Sequence, residues 1–490
     1  MLFLGFSAGV PILLVFSTLS VWLREAEVER ATIGFFSWAA LAYGFKVVWA
    51  PVVDRLPLPV LGRLLGKRRS WLLLAQASII AALLLQAFND PADHLALAAV
   101  FAVMLGFSSA TQDIVIDAYR IEAADPEMQG LMSAAYIAGY RVGMIAAGAG
   151  ALQVAGIFDP DTETYQHLPW LYAYIAMACV MGIGVVTTLV IPEPARAAGE
   201  SEWTGEDYLL FLMSFAIAAT VFALVFWLTS GLAAAQKVAM VELGLVEGLA
   251  GFLVEAVRLA AAVGAAVLTG VALVLGGVVP RQMAVETYVA PFADFLGRFG
   301  RVAILILALV ATYRIADIVM GVMANVFYVD LGFEKQEIGW ISGGFGLAMT
   351  IVGSFIGGLL ILRYGILRIL FVGGLLAAGT NVLFAFLATQ GNVLALLIAV
   401  IAADNLSGGV AAAAFVAYLS SLTSARFTAT QYALFSSIML LLPKLIAGYS
   451  GMVVDAVGYA PFFIGTACLG VPVLVMIAFV ARLTPNRTDD

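Results

Sequence analysis

Histidine and cysteine are nearly absent from this chain, two of each in 490 residues. His94 and His167 lie in separate polar breaks, and Cys179 and Cys468 lie inside apolar runs without metal-ligand spacing. A histidine-based metal site is not expected, and the cysteines say nothing about redox compartment. Charge is scarce too. Only 11% of residues are charged and 63% are hydrophobic, where soluble domains carry about 25% charged residues. This composition excludes a soluble enzyme, a disordered scaffold and a nucleic-acid binder. The formal net charge of -8 names no partner; the position of the few charges matters more.

What the chain has in abundance is long apolar runs. They fall at about 2–23, 32–53, 70–88, 95–119, 130–157, 169–191, 207–232, 259–279, 302–327, 337–362, 367–388, 393–419, 430–457 and 459–481. Each is long enough to cross a hydrocarbon core roughly 30 Å thick. Barrel strands would alternate polar and apolar residues over about 10 positions, whereas these runs are continuously apolar, so they predict fourteen membrane helices. The first run has no cationic leader and no small-residue cleavage site, and it reads as a retained span. With the N-terminus in the cytoplasm, the cytoplasmic loops hold fifteen Lys and Arg and the opposite loops five. That bias predicts both termini inside. The segment 233–258, with Lys237, Glu242, Glu247, Glu255 and Arg258 among apolar residues, reads as an amphipathic helix on the outer surface; a long tilted span is the rival.

The order of features repeats. Ile33-Gly34-Phe35-Phe36-Ser37 opens the second run and Ile338-Gly339-Trp340-Ile341-Ser342 the tenth. Gln129 and Arg141 are echoed by Gln431 and Lys444, and Asp113 by Asp404. Two pseudo-equivalent six-helix bundles are therefore expected at 1–198 and 301–490, joined by 199–300 with an extra helix pair. This is the plan of an all-α integral membrane protein of the major facilitator fold.

Ionisable groups inside membrane spans are costly and mark a pathway by default. Arg141, Arg314, Asp317, Asp404 and Lys444 fall near mid-depth at 1.5 Å rise per residue. Lys46, Asp113 and Asp117 lie nearer the cytoplasm. Asp113, Asp117 and Arg120 share one helical stripe, as do Arg314 and Asp317. Together they predict a water-filled, net-positive chamber for an anionic solute, with carboxylates carrying protons. The competing reading is that Arg314–Asp317 and Lys46–Asp113 merely neutralise one another. Among the aromatics nearby, Tyr140 beside Arg141 is the one singled out. Asp54-Arg55 followed by Gly66-Lys67-Arg68-Arg69 forms a cationic turn suited to latching one conformation, with Lys46 and Arg120 near it. Gly139/Gly143 and Gly353/Gly357 have the spacing for close helix packing. Gly5-Phe6-Ser7-Ala8-Gly9 matches a hydrolase pattern, but it lies inside a membrane helix with no histidine nearby. No Walker-type phosphate loop is present.

Several stretches resemble the AmpG muropeptide permeases of Gram-negative inner membranes. They are Gly5 to Pro11, Thr32 to Ser37, Gly66 to Trp71, Gly139 to Met144, Asp294 to Arg298, Asn405 to Gly409, Ala413 to Ala417 and Phe427 to Leu434. The most specific is Ser109-Ala110-Thr111-Gln112-Asp113-Ile114-Val115-Ile116-Asp117-Ala118. The resemblance implies a non-enzymatic, proton-driven importer of GlcNAc-anhydroMurNAc peptides, serving peptidoglycan recycling and β-lactamase induction. It departs from the family at Arg314, where Lys is expected, and at Asp404, where Glu is expected. On this reading Arg141, Arg314 and Lys444 hold substrate carboxylates, with Tyr140 beside them. Gln112, Asn405 and Gln431 hydrogen-bond sugar or peptide. Asp113, Asp117, Asp317 and Asp404 are the proton-coupling candidates, and Lys46, Asp54, Arg55, Arg68, Arg69 and Arg120 form the latch. The expected partners are the anionic sugar-peptide, protons and the bilayer. No cofactor, metal, nucleic acid or second subunit is expected. Two alternatives stay open: another bulky anion such as acetyl-CoA, and a non-transport assembly factor.

Overall fold

The computed structural model describes residues 1–29, 36, 41–58, 60–159, 165–194, 203–245, 247–447 and 449–484. The chain forms two compact units, Met1–Ala197 with Phe295–Asp490, and Ala198–Asp294. In the first half of the larger unit the helices are α1 Leu2–Val15, α2 Ser17–Glu25, α3 Leu41–Phe45, α4 Ala50–Arg55, α5 Lys67–Phe88, α6 Leu95–Glu122, α7 Gln129–Ile145, α8 Ala151–Phe158 and α9 His167–Val190. The smaller unit contains α10 Gly205–Leu228, α11 Ser230–Glu242 and α12 Glu247–Leu275. From α13 Ala290–Phe299 the chain enters the second half, with α14 Val302–Thr312, α15 Ile315–Asp330, α16 Gly346–Tyr364, α17 Ile366–Gln390, α18 Leu394–Leu422, α19 Thr428–Ala447, α20 Ser450–Val457 and α21 Tyr459–Leu483. Among the described residues there is no strand.

Among the described residues, twelve helical stretches are long and apolar enough to cross a bilayer. The expected spans at 32–53 and 430–457 are not among them. The first is broken into α3, a turn at Lys46–Val48 and α4, and much of it, including the Thr32 to Ser37 motif apart from Phe36, lies outside the described residues. The second forms two separate helices, Thr428–Ala447 with Pro443 inside it and Ser450–Val457.

The smaller unit corrects one expectation. Residues 233–258 are not a single surface helix. The chain turns after α11, and Glu247 already begins a 29-residue helix that continues to Leu275. Arg258 accounts for how a charge is kept there. Its guanidinium lies 3.7 Å from the Phe226 ring centroid, donates to the Phe226 carbonyl at 2.9 Å and pairs with Glu255 at 3.0 Å. The charge thereby satisfies a carbonyl near the end of α10, which the helix itself leaves without a donor.

Glycine sets the crossing of α1 and α7. A Cβ on Gly9 would stand 2.0 Å from the Tyr140 carbonyl oxygen, and one on Gly139 would stand 1.9 Å from that of Leu2. The same device joins α16 to α18, where a Cβ on Gly353 would lie 2.1 Å from the Leu406 oxygen. Small residues allow such approach in lipid, where no hydrophobic force drives helices together. Replacing Gly9 by Ala should force α1 and α7 apart and cost about 1–3 kcal/mol, read as a lowered melting temperature of the purified protein.

Pro11 explains a polar contact beside this crossing. Its missing N–H leaves the Ser7 carbonyl without its helical donor. The Gln112 side chain, fully buried, supplies the replacement from α6 at 3.0 Å. Gln112 therefore has a structural task at the place where a substrate contact was expected.

Candidate functional site

The charged residues fall into two groups at different depths. At one end, which bears Arg55, Arg68, Arg69, Arg120, Arg363 and Arg426 at helix ends and turns, the halves are bonded together. Arg68 is 3% exposed. It reaches Asp54 at 2.8 Å, Glu122 at 2.5 and 2.9 Å and the Thr428 hydroxyl at 3.0 Å. The Thr428 hydroxyl also donates to Glu122. Asp54 accepts from the Thr430 backbone at 3.1 Å and its hydroxyl at 3.0 Å, so a first-half carboxylate holds the start of α19. Such an anion at a helix N-terminus satisfies donors the helix cannot. Arg120, with no exposed surface, donates to Ser420 of the second half at 2.7 Å and lies 5.1 Å from the Tyr432 ring centroid. Arg55 lies over the Phe427 ring at 5.2 Å. Arg69 stays within its own half, with Glu193 and the Thr188 carbonyl.

Close backbone contact completes this closure. A Cβ on Gly358 of α16 would sit 3.0 Å from the Gly130 oxygen of α7. Sequence reasoning found the cations of this end and missed their partners. Thr428, Thr430 and Ser420 carry no charge, and a lone hydroxyl gives no pattern. Glu122 and Glu193 stand where helices end, a place where a carboxylate reads as solvated. Removing Arg68 would leave the buried Asp54 and the half-buried Glu122 without this ion pair, which is destabilising to that arrangement. We expect Arg68→Ala to open this end. A cysteine at Ser420 would then react several-fold faster with a membrane-impermeant maleimide supplied from that side, relative to the same cysteine with Arg68 intact.

One step deeper, Lys46 is 6% exposed and its ammonium lies 3.7 Å from Asp117. The pair expected from sequence is Lys46–Asp113; in the structure Lys46 keeps Asp113 within electrostatic range but makes its ion pair with Asp117, which also faces Arg120 at 3.4 Å. Asp113, one turn earlier and 7% exposed, has a carboxylate oxygen without a hydrogen-bond partner. Tyr43, whose hydroxyl donates to Ser109 at 2.7 Å, is within electrostatic range of it.

The mid-depth group is different in kind, because its side chains keep accessible surface. Arg314 and Asp317 form an ion pair yet keep 32% and 31% of their side-chain surface open. Arg314 stands at a break between α14 and α15, so its backbone leaves the helix where its charge is presented. Arg141 and Tyr140 are half-buried, and Lys444 is exposed. Arg141 is within electrostatic range of both Arg314 and Asp317, which brings the halves' charges together. Among the described residues neither Arg141 nor Lys444 has an ion pair. Asp404 accepts from Thr380 at 3.1 Å and has Asp317 within electrostatic range. Asn405, half-buried, joins α18 to α16 by accepting from Thr350 at 2.9 Å. Gln431 is not with this group. It is 1% exposed, takes bonds from Arg298 at 2.9 Å and the Ser424 backbone at 2.7 Å, and holds the turn before α19. Thirteen residues separate it from Lys444, about 20 Å along a helix. The arginine-rich end is thus bonded shut, while the mid-depth charges keep accessible surface.

Comparison with known proteins agrees with this architecture. Residues 303–490 match the family described as Major Facilitator Superfamily, and residues 1–156 match the one described as Acetyl-coenzyme A transporter 1. A putative transporter AmpG 4 of Rickettsia conorii is 28% identical over 477 residues, covering 97% of this chain and 94% of the relative. The anhydromuropeptide permease of Escherichia coli K12 is also 28% identical, over all of this chain and 80% of its own. Among solved structures, the transporter FucP in its outward conformation superposes with a TM-score of 0.60 at 11% identity, covering 98% of this chain and 97% of the other. The proton:xylose symporter XylE gives 0.58 at 12% identity, covering 98% and 93%. The chain has the major facilitator fold, and along its length it is similar to AmpG-named transporters.

Proposed function

We propose that this protein imports anhydromuropeptides, GlcNAc-1,6-anhydroMurNAc and its peptides, into the cytoplasm of a Gram-negative bacterium by proton symport, for peptidoglycan recycling and β-lactamase induction. It lies in the inner membrane with both termini in the cytoplasm. The observation that supports this most is Arg141, which has no ion pair among the described residues and lies within electrostatic range of the partly open Arg314–Asp317 pair of the other half; Lys444 is a further exposed cation. A peptide stem brings carboxylates to such a place, and charge-assisted hydrogen bonds to them are the strong kind. Arg314, held by Asp317, can exchange that partner for a substrate carboxylate. Asp113 and Asp117, between the chamber and the closed end, are placed to link proton binding to opening. Asp317 and Asp404 are the second pair of proton carriers.

The test is uptake of labelled disaccharide-tripeptide by vesicles containing the purified protein. Uptake should rise severalfold under an inward-directed proton gradient. Background uptake with and without the gradient would reject the proposal. A second reading, transport of acetyl-CoA, draws on the family match over residues 1–156. Competition separates the two: unlabelled acetyl-CoA at a hundred-fold excess should leave muropeptide uptake unchanged.

A further inference from the structure

A second pocket, of about 150 Å³, lies at the arginine-rich end of the second half, away from the chamber. It is enclosed by the ends of α18 and α21 and by residues around the start of α14. Tyr418 forms part of its wall. That residue is 1% exposed, and its hydroxyl has no hydrogen-bond partner. A buried hydroxyl without a partner is costly, and native structures supply one. The neighbouring group is the Arg298 guanidinium, 5.2 Å from the Phe299 ring centroid and oriented by the Leu422 carbonyl at 3.0 Å and Gln431 at 2.9 Å. Ser421 and Thr484 add hydroxyls, and Ile306 adds an apolar wall.

The chemistry of this lining is one-sided. It offers a cation and the Tyr418 hydroxyl as a donor, the Ser421 and Thr484 hydroxyls already donating to the Tyr418 and Val480 carbonyls, and no carboxylate is among the residues that line it. Asp294, one turn before Arg298 on α13, is the local counter-charge that a ligand must outcompete. Arg301 and Arg482, both exposed, stand at the neighbouring helix ends and raise the local positive potential. A ligand that suits this site is an anion with several acceptor oxygens, compact at its head and tolerant of an apolar wall.

We propose that this pocket binds a phosphate group, accepting from the Tyr418 hydroxyl and the Arg298 guanidinium. The group can come from a phospholipid head or from free phosphate. The proposal is independent of the transported solute.

The experiment uses the full chain in neutral detergent. Melting temperature is followed against added phosphatidylglycerol, inorganic phosphate, and diacylglycerol with the same acyl chains. Phosphatidylglycerol should raise the melting temperature in a saturable way, and diacylglycerol should not. If inorganic phosphate reproduces the shift, free phosphate is the source; if only the lipid does, the head group is. In Tyr418→Phe, which removes a single oxygen, the half-saturating concentration should rise about tenfold. Arg298→Gln should also lose the phosphate-dependent shift, and it keeps the test decisive should the phenylalanine variant not fold. An unchanged half-saturation in the folded phenylalanine variant overturns the proposal. So does an equal response to diacylglycerol, or no response of the native chain to either phosphate source.

Discussion

Arg141→Ala should reduce muropeptide uptake at low substrate by roughly a hundredfold, with Arg141→Lys recovering part of the loss. The size follows from what the side chain lacks. Arg141 has no ion pair among the described residues, so its removal leaves no orphaned carboxylate and requires no repacking. Losing one hydrogen bond to a charged group costs about 1.5–3 kcal/mol, and 2.7 kcal/mol is about a hundredfold. The loss should fall mainly on KM, because the contact is to bound substrate. Lysine keeps the charge but not the planar fork, so it restores attraction without bidentate geometry. Arg314→Ala is a useful contrast. It frees Asp317 in the same stroke, so its effect combines a lost substrate contact with an added negative charge. The check is a full uptake curve for each variant at matched protein level; an Arg141→Ala curve that overlays the native one removes Arg141 from the substrate site.

The sequence made the chamber legible because membrane charges are rare enough to be read singly. Arg141, Arg314, Asp317, Asp404 and Lys444 stood out against apolar runs, and the repeated order of features gave the two halves. The closure of the arginine-rich end was legible only on one side. Its cations were visible; the hydroxyls of Ser420, Thr428 and Thr430 that receive them depend on which helices meet, which local pattern does not encode. Gln112 and Gln431 were assigned to substrate because a polar residue in an apolar run invites that reading. The structure gives each a backbone carbonyl or a turn to hold instead, as for Gln112 with the carbonyl that Pro11 leaves without a donor. The segment 233–258 was misread because its charges suggested a single polar face. A turn at Leu243–Leu245 distributes those charges over two helices, and Arg258 is neutralised by Glu255 against a ring.

Replacing Asp113 by Asn should leave downhill entry of muropeptide intact and abolish its accumulation. Asp117 lies between Lys46 at 3.7 Å and Arg120 at 3.4 Å, and Arg120 in turn holds Ser420 across the halves. Its charge is therefore part of the closure, and Asp117→Asn should loosen that end as well as alter coupling. Asp113 is buried with one oxygen unpartnered, and the amide of Asn fits there without breaking an ion pair. A carboxylate that can be neutralised without dismantling the closed end is the group best suited to take up and release a proton. A proton moving with a monoanionic solute carries no net charge, so the pH gradient drives it; one pH unit is worth about 1.4 kcal/mol, and a one-proton symporter can hold solute about tenfold above its outside level at that gradient. The native protein should approach that ratio in vesicles with an imposed gradient, whereas Asp113→Asn should settle at equal concentrations on both sides. Exchange of internal unlabelled for external labelled solute should run at a near-native rate in the same variant. An Asp113→Asn protein that still accumulates solute would place the coupling proton elsewhere, with Asp404, bonded only to Thr380 among the described residues, as the next group to neutralise.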